Sequence, residues 1–373
     1  MRWIGRFTEY LLYVFFASLV FSNTLAQGVA IILIVLWIIR WITGRYLTRY
    51  PLDLAVLLYL LIRSITCFTS IEPATSFLEL RSGVFFSFIY FVITQHLAKD
   101  REEKEIYRYL ALLIYAGAIA AVYGVGYVIV HQFAVRAQST AGGISRFSAY
   151  TMIAFCLAFA LPGQKRIFPR KWLAYLVIGL LGMGLIFARA RAQWIAIVPL
   201  VFFIGLRRER WLLAFFTGLF GFFVLAVRQI RQRIGTFFCI PAAIEQRLLI
   251  WKGAREVFFR RPLLGFGPRT YRIVSPYLKD RGSWHSDYLQ AYLDSGIFGF
   301  LSYLYLSVML FYHSIRIIRN PLRREIGWAF LLTFVALYIV SFVGGHIQEP
   351  VITPLFFSLI AFVSVLSKEG SKS

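Results

Sequence analysis

Arginine dominates the polar chemistry of this sequence, and one histidine stands directly beside the arginine-rich stretch. Arg228, Arg231, Arg233, Arg247, Lys252, Arg255, Arg260, Arg261, Arg269, Arg272, Lys279 and Arg281 precede His285 within one segment. Upstream, Ala188-Arg189-Ala190-Arg191-Ala192 adds two more guanidiniums at the end of an apolar run. Arg outnumbers Lys in the set, and the planar guanidinium suits bidentate recognition of phosphate. One Arg–phosphate contact at about 4 Å carries roughly 4 kcal/mol of Coulomb energy at an effective dielectric of 20. Several converging on a diphosphate could hold it and stabilise it as a leaving group. A neutral imidazole can accept a proton near neutral pH. The bland alternatives are that a histidine at a helix start is a structural hydrogen-bonder, and that single arginines merely touch lipid headgroups.

The segment has internal order. Arg247, Trp251 and Arg255 fall at helical i, i+4, i+8 spacing, so one face carries two guanidiniums around an indole. Pro262-Leu263-Leu264-Gly265-Phe266-Gly267-Pro268 then supplies turn chemistry. A helix is expected next, capped by Ser283 and ended by Gly296. His285, Tyr288, Leu289 and Tyr292 share its packed side, with Asp287, Gln290 and Asp294 mostly on the other. Acids expected on the same side of the membrane are Glu72, Glu245, Glu256, Asp280, Asp287, Asp294 and Glu349. No Asp-x-Asp pair is among them, so the sequence requires no bound divalent ion and no cofactor.

Membrane helices must position these groups. The chain has 373 residues, 59% of them hydrophobic, and a mean hydropathy of +0.70. That is more apolar surface than one soluble core can hide. The net charge of +23 does not read as nucleic-acid binding, because the basic residues mostly form short clusters between apolar runs. Cys67, Cys156 and Cys239 are widely separated and show no disulfide or zinc spacing. A spanning helix needs roughly 20 mainly apolar residues, and about a dozen candidates are present, some of them short. The run 10–42 is too long for one helix, and Ser22-Asn23-Thr24 suggests a hairpin of two. Further spans are expected near 54–69, 78–96, 107–131, 148–162, 172–188, 193–205, 211–227, 296–315, 326–344 and 354–367. Clusters such as Arg2/Arg6, Arg45/Arg49, Lys99/Arg101/Lys104, Lys165/Arg166/Arg170/Lys171, Arg207/Arg208/Arg210, Arg316/Arg319/Arg323/Arg324 and Lys368/Lys372 alternate with poorer loops. Placing them inside puts both termini in the cytoplasm and the long segment outside. Three regions follow: N-terminal membrane helices (1–227), a long outer loop with short helices (228–295) and C-terminal membrane helices (296–373). Inside the apolar runs, Arg63, Glu79 and Arg81 call for pairing. Snorkelling is the cheaper expectation for Glu79, whereas Arg81 could also reach the diphosphate.

These residues resemble the O-antigen ligase and polymerase superfamily of bacterial envelope glycosyltransferases. The likeness lies in "RLLIWKGAREVFFRRPLLGFGPRTY" followed by "SWHSDYLQAYLDSGIFGFLSYL". It also lies in "ARARAQW", where Arg191 falls on a motif arginine and Ala190 stands where Ser is usual, and in "GGISRFSAY". The resemblance implies an all-α polytopic membrane protein of the GT-C-like kind, acting at the periplasmic face of the bacterial inner membrane. It implies inverting, metal-independent transfer of a glycan from undecaprenyl diphosphate. His285 is the implied base, and Arg191 and Arg247 are implied catalytic arginines. Arg81, Arg189, Trp251, Arg255, Arg269, Tyr288 and His346 are candidate substrate contacts. Within the superfamily a ligase is favoured, with lipid A–core as acceptor, because one outer loop dominates. A polymerase or a protein O-oligosaccharyltransferase stays open, as does a transporter or flippase for a lipid-linked anion. The last fits less well, since no internal repeat is evident and the unusual residues gather outside.

Overall fold

Helix is the regular structure throughout the described residues, and no strand occurs among them. A helix satisfies its backbone polar groups internally, which hydrocarbon demands of any segment crossing it. The computed structural model describes all residues except 1, 44–47, 99–101, 208–209, 236–241, 346–348 and 369–373. His346, Cys239, Arg45, Lys99, Arg101, Arg208 and Lys372 lie outside the described residues, as do the side chains of Arg2, Arg81, Arg207 and Arg281.

Among the described residues, five helices are long and apolar enough to cross a membrane: Asn23–Ile42, Glu103–Val130, Lys171–Ala188, Asp287–Arg319 and Arg324–Ser341. Leu213–Ala226 and Arg228–Gly235, bent by 101°, together would make a sixth. Phe85–His96, Ile144–Ala160, Arg191–Leu206 and Ile352–Lys368 are shorter apolar helices. The chain is a multi-pass membrane protein.

Local chemistry explains the breaks. Arg2–Ser18 and Asn23–Ile42 are separate helices, and Ser22 caps the second by accepting the Leu25 N–H at 3.3 Å. The expected span at 78–96 is not one regular helix. It runs as Pro73–Glu79, a π-helical turn at Leu80–Val84, Phe85–Ser87 and Ile89–His96. Glu79 folds its carboxylate back over this turn, and a Cβ on Gly83 would fall on Oε1. Such π turns cluster at functional positions.

The chain divides into two compact units. One comprises 1–33, 96–239 and 314–340. Its most extensive packing joins Lys171–Ala188 to Glu102–Val130 and to Ile144–Ala160. Small residues permit the approach: a Cβ on Gly184 would sit 2.8 Å from the Ala121 Cβ, and one on Gly117 2.9 Å from that of Ala154. The other unit comprises 34–95, 240–313 and 341–373. Its Ile352–Lys368 helix is buried from Ile352 to Ser367, as an element apolar on all sides should be.

Candidate functional site

His285 lies in the second unit, just before a helix. The helix starts at Asp287, whereas sequence periodicity put its cap at Ser283 and His285 within its first turn. Burial of the preceding residue explains the shift. The Trp284 ring packs edge-on against Tyr271 at 4.7 Å, and its backbone N–H donates to Gln290 Oε1 at 3.1 Å. His285 then turns left-handed, with φ of 49°, and is half-buried. Histidine is among the few residue types that tolerate this region. The Gln290 N–H closes the first helical bond on the Ser286 carbonyl at 2.8 Å.

The packed side of this helix also differs from expectation. Asp287, Gln290 and Asp294 are the deeply buried residues, and Tyr288 and Leu289 are the half-exposed ones. Each buried polar group has found a partner, which removes most of the cost of burial. Ser341 Oγ donates to Asp287 Oδ2 at 2.6 Å, and Gln290 Nε2 donates to Asp294 Oδ1 at 2.6 Å. Tyr288, Tyr292, Phe258, Phe259, Ile297 and Phe300 instead line an apolar hollow of about 550 Å³. Its walls offer dispersion contact more than polar recognition.

Gly296 ends the first part of this helix, with φ of 63° and ψ of −161°. The glycine turn closes onto that break. Ile297 N–H donates to the Pro262 carbonyl at 2.7 Å, Phe266 N–H to Leu293 O at 2.8 Å, and Gly267 N–H to Asp294 O at 2.9 Å. A Cβ on Gly296 would fall on the Leu263 carbonyl, and one on Gly265 would lie 2.6 Å from backbone atoms of residues 294–296. Both glycines are therefore required by close backbone approach. Ser70 and Ser76 hold the turn from beneath, donating to Phe266 O at 3.1 Å and Pro268 O at 2.7 Å.

Glu79 corrects the snorkelling expectation. It is 1% exposed and lies 3.0 Å from Arg63 and 3.1 Å from Arg269. Arg63 also lies 3.5 Å from Asp294. Two buried carboxylates thus share Arg63, and the half-exposed Arg269 closes the group. Arg81 lies in the π turn beside Glu79. On the Ala242–Val257 helix, Ile250, Ala254 and Val257 join the core with Trp284 and Tyr271, Arg247 and Trp251 are half-buried, and Arg255 is exposed. The Trp251 indole N–H is buried without an acceptor among the described residues.

The first unit contains a second assembly, built where Lys171–Ala188 ends. Arg189 takes a left-handed φ of 50°, and Arg191 opens the next helix. Trp194 secures the turn by donating its indole N–H to the Leu185 carbonyl at 2.9 Å. The last carbonyls of a helix lack intrahelical donors, and arginines fill that need here. Arg136 donates to Ala188 O at 2.7 Å and to Arg189 O at 3.2 Å, while Arg233 donates to Arg189 O at 3.2 Å. The Arg189 guanidinium reaches the Val135 carbonyl. Burial, reinforced by Arg233, Arg189 and Arg191, pushes Arg136 down to about 10. Burial lowers Arg189 as well. Between Glu105 and Glu245 the sequence has a single acidic residue, Glu209. The charges of Arg189, Arg191 and Arg233 all act on Arg136, next to the start of the Arg191 helix, an end that itself favours anions.

Arg189 and Arg191 were legible as candidates, but Arg136 was not. The signal that could have found it is the acid-poor stretch around it. Among the described residues, no three His, Cys, Asp or Glu side chains come together as a metal ion would need. Residues 175–304 match a family model described as O-antigen ligase. That match, over about a third of the chain, supports the likeness to the O-antigen ligase and polymerase superfamily. The O-antigen ligase match takes in Arg189, Arg191, Arg233, Arg247, Trp251, Arg255, Arg269, His285 and Tyr288, and leaves out Arg81, Arg136 and His346. Members of the family are glycosyltransferase-like enzymes that work on lipid-linked glycans in a membrane setting. No curated protein matches the chain.

Proposed function

We propose that this protein is a glycosyltransferase that moves a polysaccharide, O-antigen, from undecaprenyl diphosphate to a sugar hydroxyl of lipid A–core. The reaction would run at the periplasmic face of the bacterial inner membrane, in a chain crossing about twelve times with both termini cytoplasmic. The observation that carries the reading is the gathering of Arg136, Arg189, Arg191 and Arg233. Like charges brought this close repel one another, and a bound anion eases that repulsion. It suits the diphosphate of the donor, both as bound and as leaving group.

His285 would take the proton of the acceptor hydroxyl. The hydroxyl oxygen bonds to the anomeric carbon as the bond from that carbon to the phosphate oxygen breaks. The electron pair leaves with the diphosphate, a charge that guanidinium groups are suited to stabilise. Attack opposite the leaving group inverts the anomeric centre, and no divalent ion is invoked. Arg247 joins as a catalytic arginine on the family likeness. Trp251, Arg255 and Tyr288 serve as substrate contacts. Glu79 already balances part of the charge on Arg269, so Arg269 is better suited to shaping the site than to holding phosphate alone.

Purified protein in detergent, with chelator, should transfer glycan from the lipid diphosphate to lipid A–core. His285→Ala should abolish transfer and leave donor binding intact. Arg191→Ala or Arg247→Ala should weaken donor binding or slow transfer. Full activity of His285→Ala would remove it as the base. Transfer to a second lipid-linked glycan instead of lipid A–core would make the protein a polymerase.

A further inference from the structure

We propose that Arg63, Asp294 and Gln290 form a positioning chain that fixes the backbone on both sides of His285 and so aims its imidazole. The inference deepens the reading of His285 as the base and rests on it. Gln290 grips the histidine from either side. Its side-chain oxygen accepts the Trp284 N–H at 3.1 Å, and its own N–H donates to the Ser286 carbonyl at 2.8 Å. Between those two anchored residues His285 holds its left-handed φ of 49°. A backbone in a sparsely populated region persists only where its surroundings over-determine it, and Gln290 supplies that determination.

An amide side chain can flip, and a flipped Gln290 would set its NH2 against the Trp284 N–H. The rest of the chain forbids this. Gln290 Nε2 donates to Asp294 Oδ1 at 2.6 Å, and Asp294 Oδ2 lies 3.5 Å from Arg63 Nη2. Arginine only donates and an ionised carboxylate only accepts. Arg63 at one end and the Trp284 N–H at the other therefore dictate every intermediate orientation. Gln290, Asp294 and Arg63 are all buried, so water is poorly placed to replace a lost link. Thr66 on the Arg63 helix adds a second tie, sharing a hydrogen bond of 2.9 Å with Ser295.

Two variants test the chain. Gln290→Met keeps the length of the side chain and removes both hydrogen bonds. Asp294→Asn keeps its shape and forces a donor–donor contact either at Arg63 or at Gln290. Each should lower kcat about 10- to 100-fold while donor KM stays within about 2-fold, as expected when a reacting group is misaimed rather than binding lost. Hydrogen exchange should show a protected Trp284 amide in the parent protein and faster exchange in both variants. Parent-like kcat in Gln290→Met, or kcat and KM changing in proportion, would overturn the proposal. An unprotected Trp284 amide in the parent protein would overturn it even if neither variant folds. An active His285→Ala would instead overturn the role of His285 as base, while the exchange measurement would still report on the chain.

Discussion

Replacing Glu79 by glutamine should be among the most damaging single changes of charge in the second unit. Its carboxylate is 1% exposed and lies 3.0 Å from Arg63 and 3.1 Å from Arg269. At an effective dielectric of 20, unit charges separated by 3.0 Å attract by about 5.5 kcal/mol. Part of that attraction offsets the water both ions gave up, so the pair adds little net stability while intact. Removing one partner is different, because it strands the other charge at a cost of about 3–5 kcal/mol. Two features set the expected value within that range. Arg63 keeps Asp294 at 3.5 Å, which softens the loss. Arg269 is 36% exposed, so solvent screens its contact, which contributes about 1 kcal/mol or less. The expected loss for Glu79→Gln is therefore about 3 kcal/mol. Arg269→Gln should cost about 1 kcal/mol or less. The assay is the fraction of detergent-solubilised protein that stays monodisperse after stepped heating. A large drop in midpoint for Glu79→Gln and a small one for Arg269→Gln are expected. Equal drops, or an unchanged Glu79→Gln, would refute the assignment of the buried pair.

Three further outcomes follow from the geometry. Gly296→Ala would push a Cβ onto the Leu263 carbonyl at a φ of 63°, so it should fail to yield monodisperse protein. Normal yield would mean that the glycine turn does not close on the helix break. Arg136 is charged below its pKa, and an anion needs that charge. Pyrophosphate affinity should therefore fall as pH rises through about 10, a limb absent from Arg136→Met. Bound anion favours the charged form, so a higher pyrophosphate concentration should move the limb to higher pH. Trp194→Phe removes the indole donor to Leu185 O and should loosen the Arg189–Arg191 turn, weakening pyrophosphate binding in titrations while leaving the fold intact.

Membrane residence was legible because it depends on summed apolar length, a property of short windows. Breaks between helices were partly legible for the same local reason, as the capping of Asn23–Ile42 by Ser22 illustrates. The glycines of the turn could be recognised by type. What they serve, an approach of backbone to backbone across about thirty residues, could not. Periodicity placed His285 inside a helix because it weighs side chains by spacing and not by partners. The start of that helix was set by the burial of Trp284 and the grip of Gln290.

By itself, the sequence determined that this is a helical membrane protein with an arginine-rich segment beside one histidine, and that residues 175–304 are similar to the O-antigen ligase family model. Only the tertiary structure decided which charges meet. Glu79 joins Arg63 from 16 positions away and Arg269 from 190, so its pairing carries no local sequence signature. Arg136 enters the arginine cluster for the same reason, its carbonyl partners Ala188 and Arg189 lying 52 and 53 positions along the chain. Electrostatic energy depends on distance in space and on burial, and neither exists until the chain has folded.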